Sequence, residues 1–66
     1  MIKEVIKILV EGHSLTMEQA EGVMEEIING EATPAQFGAF ITALRLKGET
    51  VDEIIGMVKI MRKKAV

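Results

Sequence analysis

The chain has 66 residues, which sets one domain close to the lower size limit for a core that stands without cross-links. It contains no cysteine, so disulfides and thiolate metal sites are excluded. The net charge of −2 has the wrong sign for a nucleic-acid binder, and no apolar run approaches the ~20 residues needed to span a bilayer. Only Phe37 and Phe40 are aromatic, so Ile, Leu, Val, Met and Ala must build the core, a composition that favours helices over strands.

The first predicted helix runs from Ile2 to Val10. Ile2, Val5, Ile6 and Leu9 recur at helical spacing, with Lys3, Glu4 and Lys7 opposite. Ile8 and Val10 widen the apolar face beyond that stripe. Gly12, His13 and Ser14 make the turn. The segment MIKEVIKILVEG mixes charge with apolar residues and shows no cleavable signal pattern, so a soluble, cytoplasmic protein is expected.

A capping box, Thr16 with Gln19, opens the second helix, and Leu15 and Ala20 flank it at the hydrophobic staple positions. Ala20, Val23, Met24, Ile27 and Ile28 are the expected inner face; Glu18, Glu21, Glu25 and Glu26 are the expected outer one. Gly30, after Asn29, suits a left-handed helix stop.

The third helix lies within TPAQFGAFITALRLKG, residues Thr33 to Gly48. Thr33 and Gln36 form its box, and Pro34 takes the first helical position. Phe37, Phe40, Ile41 and Leu44 make one stripe. Ala35, Gly38, Ala39 and Thr42 line a second side, small enough for another helix to approach closely. Apolar or small residues cover almost every side, which predicts a helix buried all round at the centre of the fold.

Thr50 and Glu53 form the third box, and the fourth helix runs from Val51 to Lys64. Ile54, Val58, Met61 and Ala65 are its expected inner stripe, with Val51, Ile55, Met57 and Ile60 as apolar surplus. Arg62, Lys63 and Lys64 suit the negative end of the helix dipole. Three Thr-x-x-Gln/Glu boxes with glycine stops predict an all-α fold, a small four-helix bundle with short loops.

No catalytic constellation stands out. His13 has no Cys, Asp or second His nearby and reads as an exposed turn residue. Ser14 lacks a base and an orienting partner. Glu21, Glu25 and Glu26 read as a solvated face, and the basic end of the fourth helix as a cap. The six glycines are isolated and form no phosphate loop. A helix-turn-helix reading fails because the third helix offers only Arg45, Gln36 and Thr42 as polar groups. What remains is apolar surface beyond what four short helices bury among themselves, following helix faces and so pointing to an interface. The candidate interface residues are Ile2, Ile6, Ala35, Gly38, Ala39 and Thr42.

The run GEATPAQFGAFITALRLKGETVDEI closely resembles the N-terminal helical domain of the anthranilate phosphoribosyltransferase family. EGHSLTMEQAEGVMEEIING before it and MVKIMRKKA after it resemble the flanking segments, so the likeness covers nearly the whole chain. Pyrimidine nucleoside phosphorylases share a related helical domain, but ALRLKGET is more similar to the anthranilate branch.

The resemblance implies an enzyme that joins anthranilate to phosphoribosyl pyrophosphate in tryptophan biosynthesis. In that family a larger C-terminal α/β domain holds the Gly-rich phosphate loop and the acidic magnesium ligands. None of those motifs falls on a residue of this chain, so no catalytic, cofactor-binding or metal residue is carried over. The expectation is a single domain over residues 1–66, the N-terminal part of a larger enzyme and inactive alone. It is expected to self-associate as a homodimer or larger, and to close against the missing α/β domain, with no nucleic-acid or membrane partner. The alternative is a stand-alone helical module for protein–protein interaction.

Overall fold

The structure, a computed structural model, describes residues 1–65; Val66, the last residue of the expected domain, lies outside them. Four helices follow one another, α1 (Ile2–Val10), α2 (Met17–Ile28), α3 (Pro34–Lys47) and α4 (Val51–Lys64), with no strand among the described residues. The all-α bundle predicted from the capping boxes is therefore the observed fold. Thr16, Thr33 and Thr50 each accept a hydrogen bond from the backbone N–H three residues on, and each partner side chain reaches back. Both orphan donors of the box are thereby satisfied at three of the four helix starts. Gly48, at φ 94°, makes the sharp link from α3 to α4 in a backbone region that side chains with a Cβ disfavour.

The helices pair as α2 with α4 and α1 with α3, and α1 also touches α2. Ile2, Val5 and Leu9 of α1 meet Val23 of α2 and Phe40, Ala43 and Leu44 of α3, with Leu15 closing the α1–α2 link over them. Phe40 and Val23 are fully enclosed. Removing an aromatic of this kind from a core costs about 3–5 kcal/mol, so Phe40 is the anchor of the α1–α3 pair.

Helix α3 is not the enclosed centre that its composition predicts. Phe40, Ala43 and Leu44 are buried, but Phe37 and Ile41 are 43% and 37% exposed, and Ala35, Gly38, Ala39 and Thr42 face outward. The shortest dimension of the molecule is 16 Å, against a helix width of about 10–12 Å, so no helix can be surrounded on all sides.

Helix α4 also departs from its predicted face. Its buried positions are Glu53, Gly56 and Ile60, with Met57 half-buried beside them; Ile54, Met61 and Ala65 are exposed and Val58 is half-buried. The inner stripe begins with a carboxylate and a glycine, which a search for apolar periodicity passes over. Gly56 is the real close approach of the fold. A Cβ there would stand 2.7 Å from the Met17 carbonyl oxygen and 2.9 Å from the Ala20 Cβ. Among the described residues nothing lies within 4 Å of the same point at Gly38, so the close packing expected there is absent among them.

In α2, Ala20, Val23 and Met24 are buried and Ile27 is half-buried as predicted, whereas Ile28 is exposed. Its carboxylates are not simply solvated. Glu26 accepts a hydrogen bond from the Ile2 N–H at 3.0 Å, so an α2 side chain caps the start of α1. Glu21 pairs with Lys59 at 3.2 Å and Glu25 with Lys64 at 3.6 Å, lacing α2 to α4.

Candidate functional site

Three features remain after the core is accounted for: an apolar groove, an exposed side of α3, and a buried carboxylate between two loops.

The groove, of about 510 Å³, opens between α2, α3 and α4. Ile28 of α2, Phe37 and Ile41 of α3, and Ile54 and Met61 of α4 are each 37–46% exposed along it, with Leu44 and Met57 at its floor. Arg45 of α3 and Glu49 of the link that follows it are the charged residues of its lining, joined to each other at 3.4 Å. The groove exists because α3 lies mainly against α1 while α4 lies against α2, leaving the α3 and α4 faces splayed.

The opposite side of α3 presents Ala35, Gly38, Ala39 and Thr42 to solvent. Leu46, 84% exposed, extends that side by one turn and, with Val10 of α1, 71% exposed, lines a small crease between α1 and α3. Of the six residues expected at an interface, four therefore lie together on the α3 surface. Ile6 is half-buried against the core, and Ile2, 3% exposed, is committed to the core of the chain itself and offers a partner no surface. Sequence reasoning missed Leu46 altogether. Its signal was its position, seven residues after Ala39 on an exposed face.

Glu53 is completely buried where the α1–α2 and α3–α4 links meet. Its Oε2 accepts from the Leu15 N–H at 2.7 Å, and its Oε1 accepts from the Thr50 N–H at 2.8 Å and the Lys47 Nζ at 3.0 Å. Lys47 Nζ also donates to the Gly48 carbonyl at 2.7 Å and to Ser14 Oγ at 3.4 Å. Burial pushes the Glu53 carboxyl up, but the Leu15 and Thr50 N–H groups and the Lys47 ammonium outweigh it, so the net shift is downward. The pair is fully hydrogen-bonded, with no reactive group left over, so its chemistry is structural. It ties two loops that are distant in sequence to one point.

His13 and Ser14 are exposed in the first link, and Ser14 Oγ accepts a hydrogen bond from Lys47 Nζ. Among the described residues no three His, Cys, Asp or Glu side chains gather as metal ligands would. No described helix is long and apolar enough to cross a membrane.

Fold and surface together define a small helical domain with an apolar groove on one side of α3 and exposed small residues on the other. The chain belongs to the glycosyl transferase family as its helical bundle domain, whose family model matches residues 3–65. It is 60% identical to an anthranilate phosphoribosyltransferase of Dehalococcoides mccartyi over 65 residues. Similar enzymes of Pelotomaculum thermopropionicum and Chloroflexus aurantiacus are 54% and 56% identical over 65 and 64 residues. These matches cover 97–98% of this chain but only 19% of each relative. The chain thus spans about a fifth of the length of the proteins it resembles.

Proposed function

We propose that this chain serves as the N-terminal helical domain of an anthranilate phosphoribosyltransferase. The full-length enzyme transfers phosphoribose from phosphoribosyl pyrophosphate to anthranilate in tryptophan biosynthesis, in the cytoplasm. The observation that carries this reading is 60% identity across 98% of the chain, confined to 19% of the relative. Magnesium and both substrates belong to the remaining part of such an enzyme, so the chain alone is inactive.

Within that enzyme the domain has two roles. The α3 side formed by Ala35, Gly38, Ala39 and Thr42, extended by Leu46 and Val10, supports dimerisation, because small residues let a partner helix approach closely. The apolar groove seats the α/β part of the enzyme and moves with it as the site closes.

A chimera tests the reading. Residues 1–65 of this chain replace the matching segment of the Dehalococcoides mccartyi enzyme, and anthranilate consumption is followed with phosphoribosyl pyrophosphate and magnesium. The chimera is expected to retain activity, whereas a folded but inactive chimera overturns the proposal. Turnover by the 66-residue chain alone overturns the assignment of chemistry to the missing part. A stand-alone interaction module, the rival reading, predicts a chimera that folds without working.

A further inference from the structure

We propose that Asn29–Gly30, in the link between α2 and α3, is a site of spontaneous deamidation, and that the stop of α2 holds the reaction back in the folded chain.

The chemistry needs only these two residues, hydroxide and water. The Gly30 backbone nitrogen loses its proton to hydroxide and attacks Cγ of the Asn29 side chain. The new N–Cγ bond forms, the Cγ–Nδ2 bond breaks, and Nδ2 takes a proton from water and leaves as ammonia. Water then opens the five-membered imide at either carbonyl, leaving aspartate or isoaspartate at position 29. Glycine admits this attack most readily, because no Cβ stands beside its nitrogen. Asn29 is the only asparagine of the chain, and both it and Gly30 are exposed.

The folded geometry opposes the first step twice. Ring closure needs Cβ of Asn29 and the Gly30 nitrogen eclipsed about the Cα–C bond. At the observed ψ of 0° that nitrogen eclipses the backbone nitrogen of Asn29 instead. The Gly30 N–H is also engaged, donating to the Ile27 carbonyl at 3.1 Å, and so keeps its proton. Both constraints come from one helix stop. Gly30, at φ 77°, turns the chain left-handed, and the Glu31 N–H donates to the Glu26 carbonyl at 3.0 Å. Reaction therefore passes through opening of the last turn of α2.

The products act back on the stop. Isoaspartate carries an extra main-chain CH2, which shifts the Gly30 and Glu31 N–H groups out of register with the Ile27 and Glu26 carbonyls. Aspartate adds a carboxylate to a helix end that already holds Glu25, Glu26 and Glu31 and has no basic residue in its last turn, where the helix dipole is negative. Either product loosens the turn that restrained its formation.

Peptide mapping by mass spectrometry after incubation at mildly alkaline pH reads the conversion, with the two products separated by chromatography and circular dichroism confirming which samples are folded. The chain unfolded in guanidinium chloride is expected to deamidate at Asn29 roughly ten-fold or more faster than the folded chain. Glu31→Pro removes the N–H that bonds Glu26, and is expected to bring its folded rate towards its own unfolded rate. Lys47→Met, which weakens the Glu53 tie at the other end of α2, is expected to leave the ratio of the two rates unchanged. An unfolded chain that keeps its amide overturns the proposal, and so does a folded chain that reacts as fast as an unfolded one. A ratio that Glu31→Pro leaves unchanged, or that Lys47→Met moves as far, overturns the role of the α2 stop.

Discussion

Glu53 and Leu15 are 38 residues apart in the chain, yet the carboxylate of one accepts the backbone N–H of the other at 2.7 Å inside the protein. Leu15 is itself 4% exposed, so this N–H has no access to water and needs that oxygen. Three donors converge on Glu53, and a Gln there would aim an NH2 group at one of them. Glu53→Gln also strands the Lys47 ammonium, whose side chain is only 7% exposed. Breaking a buried pair by removing one partner costs about 3–5 kcal/mol. Glu53→Gln is therefore expected to lower the urea midpoint sharply. Lys47→Met is expected to cost less, because Glu53 keeps its two backbone donors. Equal losses for the two variants would show that the ion pair, and not the loop tie, dominates.

Acid acts on the same residue. The Glu53 carboxyl is held below its ordinary value in the folded chain, so its contribution is fully present above the unfolded value of about 4.3. It is lost as pH falls through the lower folded value, since the unfolded chain then binds the proton more readily. Melting temperature is expected to drop most steeply below about pH 4.3. In Glu53→Gln that part of the slope should vanish, leaving only the shallower loss from the surface pairs. A slope unchanged by the substitution would assign acid sensitivity to other carboxylates.

The helix starts and stops were legible because they are local. A Thr followed three residues later by Gln or Glu needs only its own backbone to form a box, so α2, α3 and α4 could be bounded from sequence. Faces were less legible because they depend on partners. In α4, burial runs along Glu53, Gly56 and Ile60, and neither a carboxylate nor a glycine registers as apolar. Glu53 serves its local box and the distant Leu15 N–H at once, and only the first of these is written in the spacing. The α3 side of the candidate interface was readable as small residues on one face. Leu46, seven residues after Ala39, continues that face, whereas the groove was not readable, because it arises from how the helix pairs splay.

Glu26 offers a milder case of a side chain serving another helix. Its Oε1 stands in for a missing side-chain cap at the start of α1, where no local residue supplies one. Glu26→Gln keeps an oxygen for the Ile2 N–H and is expected to cost only a few tenths of a kcal/mol, roughly the neutral end of the capping range. Glu26→Ala removes the acceptor and is expected to cost about 1 kcal/mol. Hydrogen exchange at Ile2 and the next residues should quicken in the second variant and not in the first. Equal protection in both would mean that the cap is replaced by solvent at no cost.

Two glycines on neighbouring helices make opposite predictions from the same substitution. In Gly56→Ala the new methyl meets the Met17 carbonyl oxygen at 2.7 Å and the Ala20 Cβ at 2.9 Å, and the first of these is backbone that cannot step aside. Helix α4 must move off α2, which also strains the Lys59–Glu21 and Lys64–Glu25 pairs that lace the two helices. Overpacking of this kind costs about 1–3 kcal/mol, more than the roughly 1 kcal/mol that Ala gains over Gly in a helix, so destabilisation wins. In Gly38→Ala the methyl enters open space on α3, and only the helix-propensity gain of about 1 kcal/mol remains. Chemical denaturation of the two variants is therefore expected to move the midpoint in opposite directions. A destabilised Gly38→Ala whose deficit grows with protein concentration would place a second helix against Gly38 in an assembled state. A stabilised Gly56→Ala would mean that α2 and α4 can separate without loss.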